Sequence, residues 1–200
     1  MDSFEYLIAL VSVIAGLAIT RALSGIARLV HARDHVTFSW IPMCWTASTL
    51  LWLVAFWWFT FLLSSVEGWS PALHIFVLVY AGLIFFLLAL LYPESIPEGY
   101  DMLAHFLDNR KLFFGTLLAV ALLDLVDTWW KWSLGLSSPP IIRYAIHMTP
   151  WIVFRAVGMY VRNRIFQAIF AIGLMLTFVI WLGISIDGIL EIVEQSAAGE

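Results

Sequence analysis

Six long apolar runs, each bounded by proline, glycine or charge, constrain this chain more than any other feature. They extend from Tyr6 to Leu29, Phe38 to Leu63, Ala72 to Tyr92, Leu112 to Trp132, Ile141 to Tyr160 and Ile165 to Ser185. A helix needs about 20 mostly apolar residues to cross about 30 Å of hydrocarbon, and each run meets that length. Pro71, Pro93, Pro97, Pro139 and Pro140 fall in the gaps, where a missing N–H and a fixed φ end a helix. The pattern predicts an all-α fold: a polytopic transmembrane bundle of six membrane-spanning helices forming a single domain over residues 1–200. Composition agrees, with 62% hydrophobic and 12% charged residues and a mean hydropathy of +0.94. A soluble domain of this size needs far more polar cover.

The longest piece outside these runs is Pro93 to Lys111. Within it Met102, Leu103, Phe106 and Leu107 recur at helical spacing, with Asp101, His105 and Asp108 between them. This predicts a short helix lying on the membrane surface. At the start of the chain, Asp2 with Glu5 three residues later reads as a capping box opening a helix, and no basic segment of a cleavable signal precedes it.

Basic residues set the expected orientation. Arg28, Arg33, Arg110, Lys111, Arg162 and Arg164 fall in the first, third and fifth loops, against Lys131 alone on the other side and Arg143 just inside the membrane. Positive loops stay cytoplasmic, so both termini are expected outside, on the periplasmic face of a bacterial inner membrane. Trp57, Trp58, Trp69, Trp129, Trp130, Trp132, Tyr144 and Trp181 would form an outer aromatic belt, with Trp40, Tyr92 and Tyr160 at the inner face. A net charge of −4 excludes a nucleic-acid partner that reads a basic face. The expected partners are membrane lipids, a second copy of the chain or another membrane protein.

The opening Ser12-Val13-Ile14-Ala15-Gly16-Leu17-Ala18-Ile19-Thr20-Arg21-Ala22-Leu23-Ser24-Gly25, the Trp57-Trp58-Phe59 cluster and the Arg110-Lys111-Leu112-Phe113-Phe114 segment resemble a widespread family of uncharacterised bacterial multi-pass inner-membrane proteins. The resemblance covers about the first two-thirds of the chain. It implies the membrane class and carries no function with it.

Ser12, Gly16, Thr20 and Ser24 share one face of the first helix, and Ala15, Ala18, Ala22 and Gly25 a neighbouring one. Small residues let helices approach closely in lipid, so two such faces predict a central helix or one at a subunit contact. The ionisable residues inside spans are the informative ones: Arg21, Asp124, Asp127, Arg143, His147 and Arg155. A charge at mid-bilayer costs about 3 kcal/mol on insertion scales, so these should be paired or hydrated. From helical rise, Asp124, Asp127 and His147 lie roughly 12, 8 and 9 Å from the outer boundary, and Arg21 and Arg155 roughly 21–23 Å. Side chains lean toward the N-terminus of their helix, which turns Asp124, Arg21 and Arg155 toward the midplane. An ion pair of Asp124 with Arg21 or Arg155 is therefore expected, as is coupling of Asp127 to His147. Arg143 reads better as an interface anchor, and Pro150 frees the carbonyl of Ile146 beside His147.

Two function classes weigh about equally on these residues. One is a channel or transporter for protons, ions or a small solute, passing Arg21, Asp124, Asp127, His147 and Arg155. The other is a non-catalytic accessory subunit in which the same charges lock helices together. An enzyme acting on lipid is a weaker third, because no nucleophile elbow, phosphate loop or zincin motif occurs. No cofactor is required. His74 and His147 share the outer half and could ligate a b-type haem, but a hydrogen-bonding core role is the simpler expectation for each. His31 and His35, four apart in a loop, are a weak metal signal. Cys44, the single cysteine, reads as a small buried apolar residue.

Overall fold

The computed structural model describes the backbone of residues 3–66, 69–135 and 141–198, and side chains within these except at 3, 62, 65, 141–147 and 184–198. Six helices follow one another: α1 Ser3–His31, α2 Trp40–Thr60, α3 Pro71–Leu91, α4 Met102–Ser133, α5 Ile141–Gly158 and α6 Arg164–Ala198. Five of them, all but α5, are long and apolar enough among the described residues to cross a membrane. The chain is thus an all-helical membrane protein, and α5 is the shorter helix that carries Arg155 and an internal Pro150. The expected Asp2–Glu5 capping box lies outside the described residues at Asp2.

Local chemistry explains where the helices start and stop. Pro71 occupies the first turn of α3, and the Ser70 hydroxyl accepts the Leu73 N–H at 3.2 Å. The Asp101 carboxylate accepts the N–H groups of Leu103 and Ala104 at 2.8 and 2.9 Å and so opens α4. Asn163 does the same for Ile165 at the start of α6, at 2.7 Å. Gly135, at φ +72°, supplies the left-handed turn that ends α4.

The separate surface helix expected between Pro93 and Lys111 does not form. Its residues are the opening turns of α4, which runs unbroken from Met102 to Ser133. Pro93, Pro97 and Gly99 (φ +70°) all precede the Asp101 cap. No proline lies between that cap and Ser133, so nothing stops the helix between Asp108 and Leu112.

The helices run alternately up and down. One end gathers Phe4 and Leu7 of α1, Leu63 after α2, Leu73 of α3 and Trp130 of α4 in a single apolar cluster. The other end holds a two-residue parallel pairing of β1 (Val36–Thr37) with β2 (Tyr100–Asp101). There an Arg162–Asp108 ion pair of 2.6 Å joins the α5–α6 loop to α4. α1 packs beside α3, α4 beside α5, and α2 touches α1, α3, α4 and α6.

The central helix is therefore α2. Half of its membrane window is buried, against 28% for α1. Of the two places expected for α1, central or at a subunit contact, α1 does not take the first. One of the two small faces is used: Ala18, Ala22 and Gly25 are buried, in line with Leu7, Val11 and Leu29. The other is mostly free: the Ser12 hydroxyl accepts the Trp57 indole N–H of α2 at 3.2 Å, but Gly16 and Thr20 are exposed, and a side chain added at Gly16 would meet no atom within 4 Å. The core beneath α2 is aromatic. Trp45, 1% exposed, meets the rings of Phe106, Phe113, Phe114 and Phe170 at centroid distances of 5.3–6.4 Å.

Candidate functional site

A polar chain crosses the middle of this apolar bundle. On α2, the Trp52 indole N–H donates to the Tyr80 hydroxyl of α3 at 3.2 Å. The Tyr80 hydroxyl donates to Asp124 Oδ1 of α4 at 2.8 Å. On α5, the Arg155 guanidinium lies 5.6 Å from the centre of the Trp52 ring, a cation–π distance. Tyr80 and Arg155 are each 1% exposed. Four helices thus contribute one polar group apiece. In lipid each of these groups needs a partner within the protein, because no water competes for it.

Arg155 and Asp124 are expected here from their positions inside spans, and both are present. Trp52 and Tyr80 are not among the residues that the sequence singles out, although a hydroxyl and an indole N–H in mid-span must also find partners. That signal is legible in the sequence, but it does not say which groups meet.

Arg21 stands elsewhere. Its guanidinium donates to the Tyr92 carbonyl at 3.0 Å, twelve residues along α3 from Tyr80, or about 18 Å by helical rise. Depth from helical rise already sets Arg21 about 10 Å deeper than Asp124, and only the lean of the two side chains toward the midplane brings them together. The bond to Tyr92, the residue that caps α3, places the Arg21 guanidinium level with the end of that helix. Two turns further on, Arg28 donates to the Pro93 carbonyl at 3.2 Å. Both arginines thus meet carbonyls at the C-terminal end of α3, where the helix dipole is negative.

Asp127 has a partner that sequence reasoning misses. Its Oδ2 accepts Lys131 Nζ at 2.6 Å, four residues on, with the two side chains only 16% and 9% exposed. Lys131 lies in the last turn of α4, at the end opposite the basic loops, and the spacing of four already places both groups on one helix face. His147 and Arg143 lie outside the described side chains, and with them the expected His147 coupling and the His74–His147 haem pairing. His74 Nδ1 lies 3.0 Å from the Ser70 carbonyl, and its ring packs against Trp69. No group of three metal-ligating residues occurs among the described residues.

Two further features surround the site. Thr46 of α2 and Tyr92 share a buried hydroxyl–hydroxyl bond of 2.7 Å. Near the opposite end, Trp57, Trp58 and Phe61 line an apolar hollow of about 290 Å³. Beyond the spans, burial, followed by the charges of Tyr92 and Asp101, pushes the Tyr100 phenol up to about 12. Comparison with protein-family models, with curated proteins and with solved structures finds no match for this chain.

Proposed function

We propose that the protein is a small transporter or channel that handles protons, with Asp124 as the proton-accepting group inside the bilayer. The observation that carries this reading is the hydrogen-bonded sequence Trp52–Tyr80–Asp124, set beside the buried Arg155. A carboxylate at this depth is expensive unless it serves a purpose or is neutralised. A hydroxyl that donates to it can pass a proton by rotating between partners, which a purely apolar contact cannot do. Tyr80 would orient and relay, Arg155 would supply a nearby positive charge, and Asp127–Lys131 would form a neutral pair one turn further along α4.

Purified protein in liposomes loaded with a pH-sensitive dye should take up protons under an imposed potential. Asp124→Asn should lower uptake to the level of empty liposomes, and Tyr80→Phe should slow it while the bundle stays folded. A wild-type protein that moves no protons, common monovalent ions or chloride under any gradient would overturn this reading.

A second reading rests on a different observation. The Gly16 and Thr20 face of α1 is exposed and has room for a close neighbour at Gly16, as suits an accessory subunit or a homo-oligomer whose partner helix lies there. Flux that persists in a protein shown to be monomeric would argue against it.

The orientation completes the proposal. Arg28, Arg33, Arg110, Lys111, Arg162 and Arg164 belong to the end of the bundle that carries the β1–β2 pairing. By the distribution of positive charge, that end faces the cytoplasm of a bacterial inner membrane and both termini lie outside. In a Cys44→Ala background, cysteine at Ser64 should react with an impermeant thiol reagent added to intact cells, and cysteine at Asp34 or Glu98 should not. The reverse pattern would invert the topology.

A further inference from the structure

Arg21, Gly25 and Arg28 lie on one face of α1, at spacings of four and three. The Tyr92 ring packs directly on Gly25. Arg21 holds the carbonyl of Tyr92 on one side of it and Arg28 the carbonyl of Pro93 on the other. Each guanidinium carries five donors and a full charge, yet each makes a single hydrogen bond, and among the described residues no carboxylate pairs with either. Arg28 Nε is buried and has no hydrogen-bond partner. A helix C-terminus offers only about half a negative charge, and the acidic residues that follow it, Glu94 and Glu98, are exposed and form no ion pair with either arginine among the described residues. The site lies at the C-terminal end of α3, whose 21 residues rise about 30 Å, the thickness of a hydrocarbon layer, so a headgroup layer would begin near it.

We infer that Arg21 and Arg28 together bind a phosphate group, supplied by the headgroup of an anionic phospholipid of the adjoining leaflet or by a free phosphate anion. Guanidinium forks match phosphate oxygens two at a time, and basic pockets between transmembrane helices suit anionic headgroups. The inference stands independently of proton handling.

Native mass spectrometry of the detergent-purified protein tests it with three probes: phosphatidylglycerol, phosphatidylcholine and inorganic phosphate. Phosphatidylglycerol should be retained in preference to phosphatidylcholine. Arg28→Gln should weaken its binding by about tenfold, the effect of losing one or two charge-assisted hydrogen bonds, and Arg21→Gln should do likewise. Competition by inorganic phosphate would assign the site to a free anion. Insensitivity to inorganic phosphate, with the arginine dependence intact, would assign it to the lipid headgroup. Equal retention of the two lipids, or unchanged phosphatidylglycerol binding in both variants, would overturn the inference. Should the glutamine variants fail to fold, Arg28→Lys keeps a donor for Pro93 but loses the fork. Its affinity should then fall several-fold, and an unchanged affinity would count against the site.

Discussion

Replacing Gly25 by leucine is expected to destabilise the bundle by about 3 kcal/mol or more, with Gly25→Ala costing about 1–3 kcal/mol, the usual range for overpacking a close contact. A Cβ on Gly25 would fall 2.6 and 2.8 Å from two ring carbons of Tyr92, so the ring would have to move. It is held at both ends. Its hydroxyl bonds Thr46 at 2.7 Å and Met43 Sδ at 3.5 Å, and its carbonyl accepts Arg21. Moving the ring therefore breaks contacts among α1, α2 and α3 together. Gly16→Leu is the matched control. It lies on the same helix but meets nothing within 4 Å, so its effect should stay within about 0.5 kcal/mol, as for an exposed site. Thermal and denaturant unfolding in micelles would read both. A Gly25→Leu protein as stable as the parent would mean that α1 and α3 do not pack as described.

The second large effect concerns the Asp127–Lys131 pair. With both side chains mostly buried and a separation of 2.6 Å, Lys131→Met strands a carboxylate in low dielectric and should cost about 3–5 kcal/mol. Asp127→Leu strands the ammonium and should cost a comparable amount. The double variant removes both charges and should recover most of the loss, giving a coupling energy of at least about 3 kcal/mol in a double-mutant cycle, the top of the usual range for neighbouring residues. An exposed i,i+4 pair would instead be worth about 0.3–0.5 kcal/mol, so the size of the coupling measures how dry this part of α4 is. Additive single and double variants would show that the pair is solvated.

Much of the architecture can be read from residue order. The helix limits expected from apolar runs and prolines match those of α2, α3 and α5 to within a few residues. The exception at α4 has a local cause. Met102, Leu103, Phe106 and Leu107 carry an amphipathic pattern that suits a surface helix and the first turns of a longer one equally well. Only the lack of a breaker after Asp108 distinguishes the two.

The site is legible in part. Asp124 and Arg155 stand out because ionisable groups in a span are rare and costly. Their neighbours Tyr80 and Trp52 do not, because tyrosine and tryptophan are also ordinary apolar fillers and belt residues. Arg21 is mispaired when the lean of a side chain is taken to bridge a difference in depth of about 10 Å. The Lys131 pairing is missed when Lys131 is read only as a count of positive charge, although Asp127 four positions earlier offers it a partner on the same helix.

The sequence by itself determined that this is a helical membrane protein and where α2, α3 and α5 begin and end. Those properties depend on hydrogen bonds and apolar length within one segment, and in lipid every backbone group must be satisfied locally. Only the tertiary structure decided that α2 rather than α1 lies at the centre, that Tyr92 rather than another helix fills the gap at Gly25, and that Arg21 meets a carbonyl while Asp124 meets a tyrosine. Lipid is as apolar as the protein interior, so hydrophobicity does not mark which face of a spanning helix turns inward. Shape and the pairing of a few polar groups make that choice, and both require several helices at once.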